Sequence, residues 1–318
     1  MDIDRACPTT VAAALARAAA IVPDVEAIVA PDGRMTYRDL ADEVARLSGA
    51  MTALGIRKGD HVGLCLGNSC RWVALFLAAG SIGAVTVPMN TRFRAPEMAY
   101  ALKQSRVSTL FLADRLLKVD FVAMLREIAP AIDAGLPGGD LPDLRRLVVI
   151  GDDVPAAGIG FEAFRAMGRE EDPAPVGPDD LLLIQYTSGT TSFPKGVMLT
   201  HRNMLGNAFI SGGRMGFRLA DRFHSARPFF HVAGSTVPVL SALQPGVTLV
   251  SMERFEPAEA LRLLEEERCT HFSGNDTMAL MLLNHPDRRQ RKLVLRGAWV
   301  AASAEIVRRV ICELGAAE

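Results

Sequence analysis

The sequence has few cysteines, no long apolar run and almost no net charge, and each shortage excludes a class of protein. Its five cysteines form neither a C-x-x-C pair nor a Cys/His set with zinc spacing. This argues against a disulfide framework or a structural zinc site and favours a reducing cytosol. No stretch of about 18 apolar residues occurs, so we expect no membrane span. A formal net charge of −1 gives no electrostatic reason to expect nucleic acid as a partner.

An export signal is also lacking at the N-terminus. The chain begins MDIDR, which is acidic where a signal peptide would be basic, and Arg17 interrupts the apolar stretch that follows. This stretch is typical of an amphipathic helix rather than a signal. The sequence therefore predicts a cytoplasmic protein.

The composition is that of a globular protein with one large or two ordinary domains, since 49% of the 318 residues are apolar and 22% are charged. A hairpin is expected around Pro31-Asp32-Gly33, and Thr36 with Asp39 resembles a helix capping box. From His61 onward, short apolar runs alternate with amphipathic helical segments. This alternation predicts an α/β fold with parallel-rich sheets flanked by helices.

The segment YTSGTTSFPKG, from Tyr186 to Gly196, is the strongest candidate for a binding site. It follows the apolar run LLLIQY, so it is expected to leave the C-terminal end of a strand, where open α/β sheets bind ligands. Backbone amides of a glycine-containing turn, several hydroxyls and Lys195 together suit phosphate oxygens. A Walker A loop is excluded because Pro194 stands where that motif needs glycine. A polar surface turn remains the alternative.

The longer segment YTSGTTSFPKGVMLTH resembles the phosphate-binding motif of the adenylate-forming superfamily, which includes acyl-CoA synthetases. One departure is Ser192, where the family usually has glycine. The segment beginning TYRDLADEVARL and the segment RPFFHVAGS also look like parts of this family. The resemblance covers essentially the whole chain.

What the family resemblance implies is a two-step reaction. A carboxylic acid, here a fatty or alicyclic one, reacts with ATP to give an acyl-adenylate, and CoA then displaces AMP to form a thioester. ATP, Mg²⁺ and CoA would be the cofactors. The residues expected to bind the phosphates are Thr187, Ser188, Gly189, Thr190, Thr191 and Lys195.

A second motif, PFFHVAGS, places His231 ahead of Gly234 and Ser235. By resemblance, His231 would be catalytic and lie near the substrate carboxylate, with Gly234 and Ser235 leaving space for the acyl group. A satisfied core histidine is the alternative. Ala302 and Ser303 stand in the family's Gly-Gly-Ala position, where a plain tight turn is equally compatible with the sequence.

The chain is expected to be an incomplete N-terminal large domain over residues 1–318, with possible subdomains 1–70 plus 205–318 and 71–204. The family's Tyr-Gly-x-Thr-Glu motif does not occur, and its small C-terminal domain is not expected. The isolated chain would then bind ATP weakly and turn over no acid. A non-catalytic nucleotide- or acyl-binding protein derived from such a ligase is the alternative, and the sequence leaves the oligomeric state open.

Overall fold

The computed structural model describes residues 7–169, 174–187, 194–243 and 246–316. The α-helices within these ranges are α1 Val11–Ile21, α2 Tyr37–Ala53, α3 Cys70–Ser81, α4 Ala95–Gln104, α5 Phe121–Ile128, α6 Phe161–Arg165, α7 His201–Arg214, α8 Val232–Gly234, α9 Ser241–Leu243, α10 Pro257–Glu266, α11 Asp276–Leu283 and α12 Ala304–Leu314. A π-helical segment, Ser235–Leu240, joins α8 to α9, and short 3₁₀ helices span Pro130–Asp133 and Pro286–Gln290.

The strands supply two sheets and a small hairpin. Their bounds are β1 Glu26–Ala30, β2 Gly33–Thr36, β3 His61–Cys65, β4 Val85–Pro88, β5 Thr109–Ala113, β6 Arg115–Leu116, β7 Val119–Asp120, β8 Arg146–Ile150, β9 Gly158–Gly160, β10 Leu181–Thr187, β11 Lys195–Thr200, β12 Arg222–Ser225, β13 Thr248–Ser251, β14 His271–Asn275 and β15 Gly297–Ala301.

Among the described strands, the first sheet has the order β15-β14-β12-β13-β1-β2 and the second has the order β11-β10-β4-β3-β5-β8-β9. Within these sheets, β1–β2 and β10–β11 pair antiparallel and the other neighbours pair parallel. The predicted α/β fold with parallel-rich sheets flanked by helices is therefore confirmed. The subdomain division stays a prediction. Strand β3 belongs to the predicted subdomain of residues 1–70 and 205–318, but it pairs with β4 in the second sheet.

Helix α3 lies in the apolar core that the two sheets share. Ten of its twelve residues are buried, as expected for a helix that is apolar all round. One continuous core joins α3 residues such as Trp72 to Phe223 of the first sheet and Phe111 of the second. Since this core contacts both sheets, it fixes the position of one sheet relative to the other, and with it the positions of the loops that follow their strands.

Two local predictions from the sequence are confirmed at the start of the chain. Thr36 and Asp39 form a capping box at the start of α2. The Pro31-Asp32-Gly33 turn joins β1 to β2. The carboxylate of Asp32 also accepts hydrogen bonds from the backbone N–H groups of Cys70 at 2.7 Å and Arg71 at 3.2 Å. The turn therefore caps the N-terminus of α3, where a negative charge is favourable.

A buried histidine of the first sheet is one source of pH dependence. His224 of β12 is fully buried, stacks on Phe272 with ring centroids 5.9 Å apart, and neither ring nitrogen has a hydrogen-bond partner among the described residues. Burial lowers the pKa of His224 to about 4, and the charge of Glu259 opposes that shift. A neutral folded-state imidazole is therefore favoured.

We predict that His224→Leu makes the protein less sensitive to acid. An unfolded histidine gains its proton near pH 6.5, whereas His224 in the fold resists protonation down to about pH 4. The wild type therefore loses stability as the pH falls through this window, by about 2 kcal/mol at pH 5. Urea denaturation at pH 7 and at pH 5 measures the free energy of unfolding. From pH 7 to pH 5, the free energy of the variant relative to that of the wild type should rise by about this amount.

His285→Leu is the matched control for removing an imidazole, because His285 is only partly buried. A stability difference between His224→Leu and the wild type that stays constant across this pH range would contradict the prediction.

Candidate functional site

The two ends of the predicted phosphate loop lie opposite each other. Thr187 is the last residue of β10 and pairs in register with Lys195, the first residue of β11. The hydroxyl of Thr187 donates to the backbone carbonyl of Lys195 at 3.5 Å. Both side chains are exposed, and the sequence analysis had not predicted β11 as a strand. The remaining predicted phosphate-binding residues, Ser188, Gly189, Thr190 and Thr191, lie outside the described residues.

A buried glutamine connects the phosphate-loop strand to the histidine motif. Gln185 of β10 donates from Nε2 to the carbonyl oxygen of Phe230 at 3.2 Å, across 45 residues of sequence, and to the carbonyl of Tyr186 at 3.2 Å. Because Phe230 precedes His231, this hydrogen bond brings the two predicted motifs together. The sequence analysis missed Gln185, although its polar side chain inside the apolar run LLLIQY was a usable signal.

A second buried amide holds the loop that carries the histidine. Asn68 accepts from the N–H of Phe229 at 2.8 Å and donates to the carbonyl oxygen of Arg227 at 2.9 Å. Its Nδ2 also lies 3.2 Å from Ser251 Oγ and 3.2 Å from the carbonyl oxygen of Met252. Asn68 follows β3, so it ties the turn after β12 to the ends of β3 and β13. It too was missed, because nothing in the sequence reveals partners so distant along the chain.

His231 caps the short helix α8 and keeps one nitrogen available. Its Nδ1 accepts from the N–H of Ala233 at 3.1 Å, so the proton of the neutral ring lies on Nε2. The residue is exposed, yet desolvation by the surrounding protein atoms lowers the pKa of the ring, and the positive charge of Arg227 lowers it further. At neutral pH, His231 is therefore an uncharged hydrogen-bond donor through Nε2.

Gly234 is required by a close backbone approach. A Cβ atom at this position would lie 1.9 Å from the carbonyl oxygen of Pro228 and 2.5 Å from its carbonyl carbon. The space beside Gly234 is thus already filled by protein. Ser235 is fully buried, and its hydroxyl lies 3.5 Å from the carbonyl of Val232. The contacts of both residues make the turn after His231 compact. That they leave space for an acyl group stays a prediction.

The Ala302–Ser303 turn follows the last strand of the first sheet. Ala302 is partly buried, while Ser303 is exposed. The hydroxyl of Ser303 accepts from the N–H of Ile306 at 3.4 Å and so caps α12, and its own N–H donates to Asp276 at 3.1 Å. The structure therefore gives Ser303 a capping role. A contact of this turn with substrate stays a prediction.

Arg227 adds a permanent cation to the same region. Its Nε donates to Ser273 Oγ at 2.8 Å, and Nη2 donates to the carbonyl of Gly274. The guanidinium carbon lies 4.5 Å from the ring centroid of Trp299, within reach of a cation–π interaction. Burial lowers the pKa of Arg227. The sequence analysis gave this residue no role.

Within the ranges that the structure describes, no group of three or more His, Cys, Asp or Glu side chains could hold a metal ion. None of the described helices is both long and apolar enough to cross a membrane.

Comparison with protein families gives a match over almost the entire chain. Residues 15–317 match the family model described as AMP-binding enzyme. A 3-[(3aS,4S,7aS)-7a-methyl-1,5-dioxo-octahydro-1H-inden-4-yl]propanoyl:CoA ligase of Rhodococcus jostii is 33% identical over 319 residues, which is 96% of this chain and 61% of the relative. The long-chain-fatty-acid–CoA ligase FadD13 of Mycobacterium tuberculosis is 36% identical over 80% of this chain and 47% of the relative. The chain thus spans about half to three fifths of the length of these relatives.

Solved structures show the same fold. An inhibitor-bound N-terminal domain of FACL13 from Mycobacterium tuberculosis superimposes with a TM-score of 0.79 at 29% identity. The superposition covers 94% of this chain and 72% of that domain.

We predict that Asn68→Ala destabilises the protein by about 1 to 3 kcal/mol, since it leaves several buried backbone groups without partners. The free energy of unfolding from urea titration measures this. Asn207→Ala makes the same chemical change on an exposed face of α7 and should stay within about 0.5 kcal/mol of the wild type. Equal effects of the two substitutions would show that Asn68 does not hold the loop.

A second prediction concerns the turn after His231. Gly234→Ala should cost about 1 to 3 kcal/mol, because the new methyl group forces Pro228 to move. At Gly206 of α7 a Cβ would meet nothing within 4 Å, so Gly206→Ala should be neutral or stabilising by up to about 1 kcal/mol. Thermal unfolding of both variants tests the difference, and unchanged stability of Gly234→Ala would refute the close approach.

Proposed function

The chain belongs to the AMP-binding enzyme family, and on this premise we propose that the protein activates a carboxylic acid with ATP and transfers its acyl group to CoA. The observation that carries the proposal is the hydrogen bond from Gln185 to the carbonyl of Phe230. It holds the start of the phosphate loop next to His231, so a nucleotide phosphate and a carboxylate could meet there. Positioning of this kind supplies much of the catalysis in such transfers.

Thr187 and Lys195 are proposed to bind the ATP phosphates, together with Ser188, Gly189, Thr190 and Thr191. Two observations on the described residues support this. Lys195 forms no salt bridge within the described part of the chain. Its side chain is exposed, and the residue begins the strand that pairs with Thr187. A lysine beside a hydroxyl at the end of a strand suits phosphate oxygens. The described side chains offer no cluster for Mg²⁺, so we assign the ion no step.

His231 is proposed to hold the reacting carboxylate. A neutral imidazole can donate from Nε2 to one carboxylate oxygen, while the other oxygen attacks the α-phosphorus and pyrophosphate leaves. The lowered pKa of His231 favours the neutral form at pH 7, so the histidine binds the acid without a permanent charge. CoA would supply the thiol that displaces AMP in the second step.

A fatty or alicyclic acid is the proposed substrate class. One relative is named for long-chain fatty acids and the other for a propanoyl group on a fused ring system. Both acyl groups are largely apolar. Gly234, Ser235, Ala302 and Ser303 are proposed to lie near the acyl group, and the cytoplasm is the proposed location.

We predict that Lys195→Met lowers kcat/KM for ATP by about tenfold to a hundredfold, because one cationic contact to the phosphates is lost. Formation of AMP and acyl-CoA from a panel of fatty and alicyclic acids, followed by mass spectrometry, measures this. Lys103→Met removes an exposed lysine at the end of α4 and should leave the rates within about twofold, as most surface substitutions do.

Two outcomes would contradict these expectations. Equal effects of the two lysine substitutions would remove Lys195 from the site, and acid-dependent AMP release by residues 1–318 would contradict the expectation that this chain by itself is inactive. In an inactive chain the affinity for ATP is the readout, which Lys195→Met should weaken and Lys103→Met should not.

A further inference from the structure

We propose that Arg227 is a specificity-determining residue that selects dicarboxylic acids, by binding the carboxylate at the non-reacting end of the substrate. This inference rests on the proposed function and names a narrower substrate class for the same site. It is carried by the position of Arg227, by the contacts of its guanidinium and by the lack of an acidic partner among the residues that the structure describes.

Arg227 lies on the face of the first sheet that points into the shared core. Ser225 of β12 is in register with Ser273 of β14, and Ser273 is in register with Trp299 of β15. Trp299 packs against the core between the sheets, whereas Val300 packs on the opposite face. Since Arg227 contacts Ser273 and Trp299, it follows Ser225 along this inner face at the carboxyl ends of the strands, where ligands bind in α/β proteins.

Only one edge of the guanidinium is engaged. Nε and Nη2 donate to Ser273 and Gly274, while Nη1 makes no hydrogen bond to any described residue. The contacts to Ser273, Gly274 and Trp299 hold the group in a fixed orientation. A guanidinium held in this way has a free donor ready for one more oxygen atom.

Arg227 also differs from comparable arginines in lacking a carboxylate partner among the described residues. Arg222, the first residue of β12, is paired with both Glu26 and Glu267, and Arg165 is paired with Glu43. A partly buried cation without a counter-ion is costly to the fold. An anionic group brought by the substrate would compensate that charge.

The reacting carboxylate is a poor candidate for this anion. It loses its negative charge when the acyl-adenylate forms, so a permanent cation beside it would stabilise the ground state more than the transition state. His231, a neutral donor, has no such disadvantage. Arg227 acts on the same region, since its charge lowers the pKa of His231. The two residues therefore suit the two ends of one diacid.

The test compares straight-chain dicarboxylic acids with monocarboxylic and ω-oxo acids of equal length. Trp299 provides the signal, because it is one of two tryptophans and the other, Trp72, is fully buried. We expect the best dicarboxylic acid to change the fluorescence of the protein with a Kd about tenfold lower than that of the matched monocarboxylic acid. Trp299→Phe should abolish the change.

Arg227→Gln removes the charge but keeps a hydrogen-bond donor toward Ser273, since glutamine Nε2 takes the position of arginine Nε. It should weaken dicarboxylate binding about tenfold and leave monocarboxylate binding within about twofold, while Arg227→Lys should restore part of the difference. Arg214→Gln, on the exposed last turn of α7, is the matched control and should change neither affinity.

Measurements on the wild type alone can overturn the inference, even if a variant does not fold. Equal affinities for the mono- and dicarboxylic acids would do so, and tighter binding of the ω-oxo acids would show that a neutral acceptor is preferred. Binding of ATP and of acids by the wild type separates the two proposals. Binding of ATP and of monocarboxylic acids without a preference for diacids leaves the proposed function intact, whereas binding of neither ATP nor any acid refutes that function as well.

Discussion

The hydrogen bond between Gln185 and the carbonyl of Phe230 is the contact on which the candidate site depends. It joins a strand of the second sheet to the turn that carries His231. In the proposed reaction, the hairpin β10–β11 holds a nucleotide and His231 holds an acid, and the two can react only if these segments keep a fixed separation. Since Gln185 is buried, water competes weakly for this hydrogen bond and the link is stronger than an exposed one.

Asn68 supports the same geometry through other backbone groups of this turn. Its amide holds the backbone at Arg227 and Phe229, while Gln185 holds the backbone at Phe230. Backbone contacts at Arg227, Phe229 and Phe230, on both sides of Pro228, leave His231 little freedom to move. The shared core around α3 in turn fixes strand β10, which carries Gln185, and strand β3, which precedes Asn68. Two amides with no chemical role thus position the residue proposed to bind the acid.

The sequence predicted what depends on local patterns and missed what depends on distant pairing. Alternating apolar runs indicated the parallel sheets, and the Thr36–Asp39 capping box follows from a spacing of three residues. The strand β11 was not predicted, because its exposed residues show no buried pattern and its pairing comes from β10. Gln185, Asn68 and Arg227 find partners 45, 161 and 46 residues away. No periodicity in a single sequence marks such pairs, so the pairings appear only with the fold, although the glutamine inside LLLIQY was a usable signal for Gln185 itself.

Gly234 has a structural role that the sequence analysis did not foresee. Its predicted role, leaving space for an acyl group, stays a prediction, but a Cβ at this position would also collide with the backbone of Pro228. The missing side chain lets the chain fold back on itself directly after His231. That close turn puts the N–H of Ala233 within reach of Nδ1, which fixes the proton of the neutral imidazole on Nε2. Gly234 therefore bears on the proposed chemistry through the tautomer of His231, because a looser turn would free Nδ1 and leave the ring proton on either nitrogen.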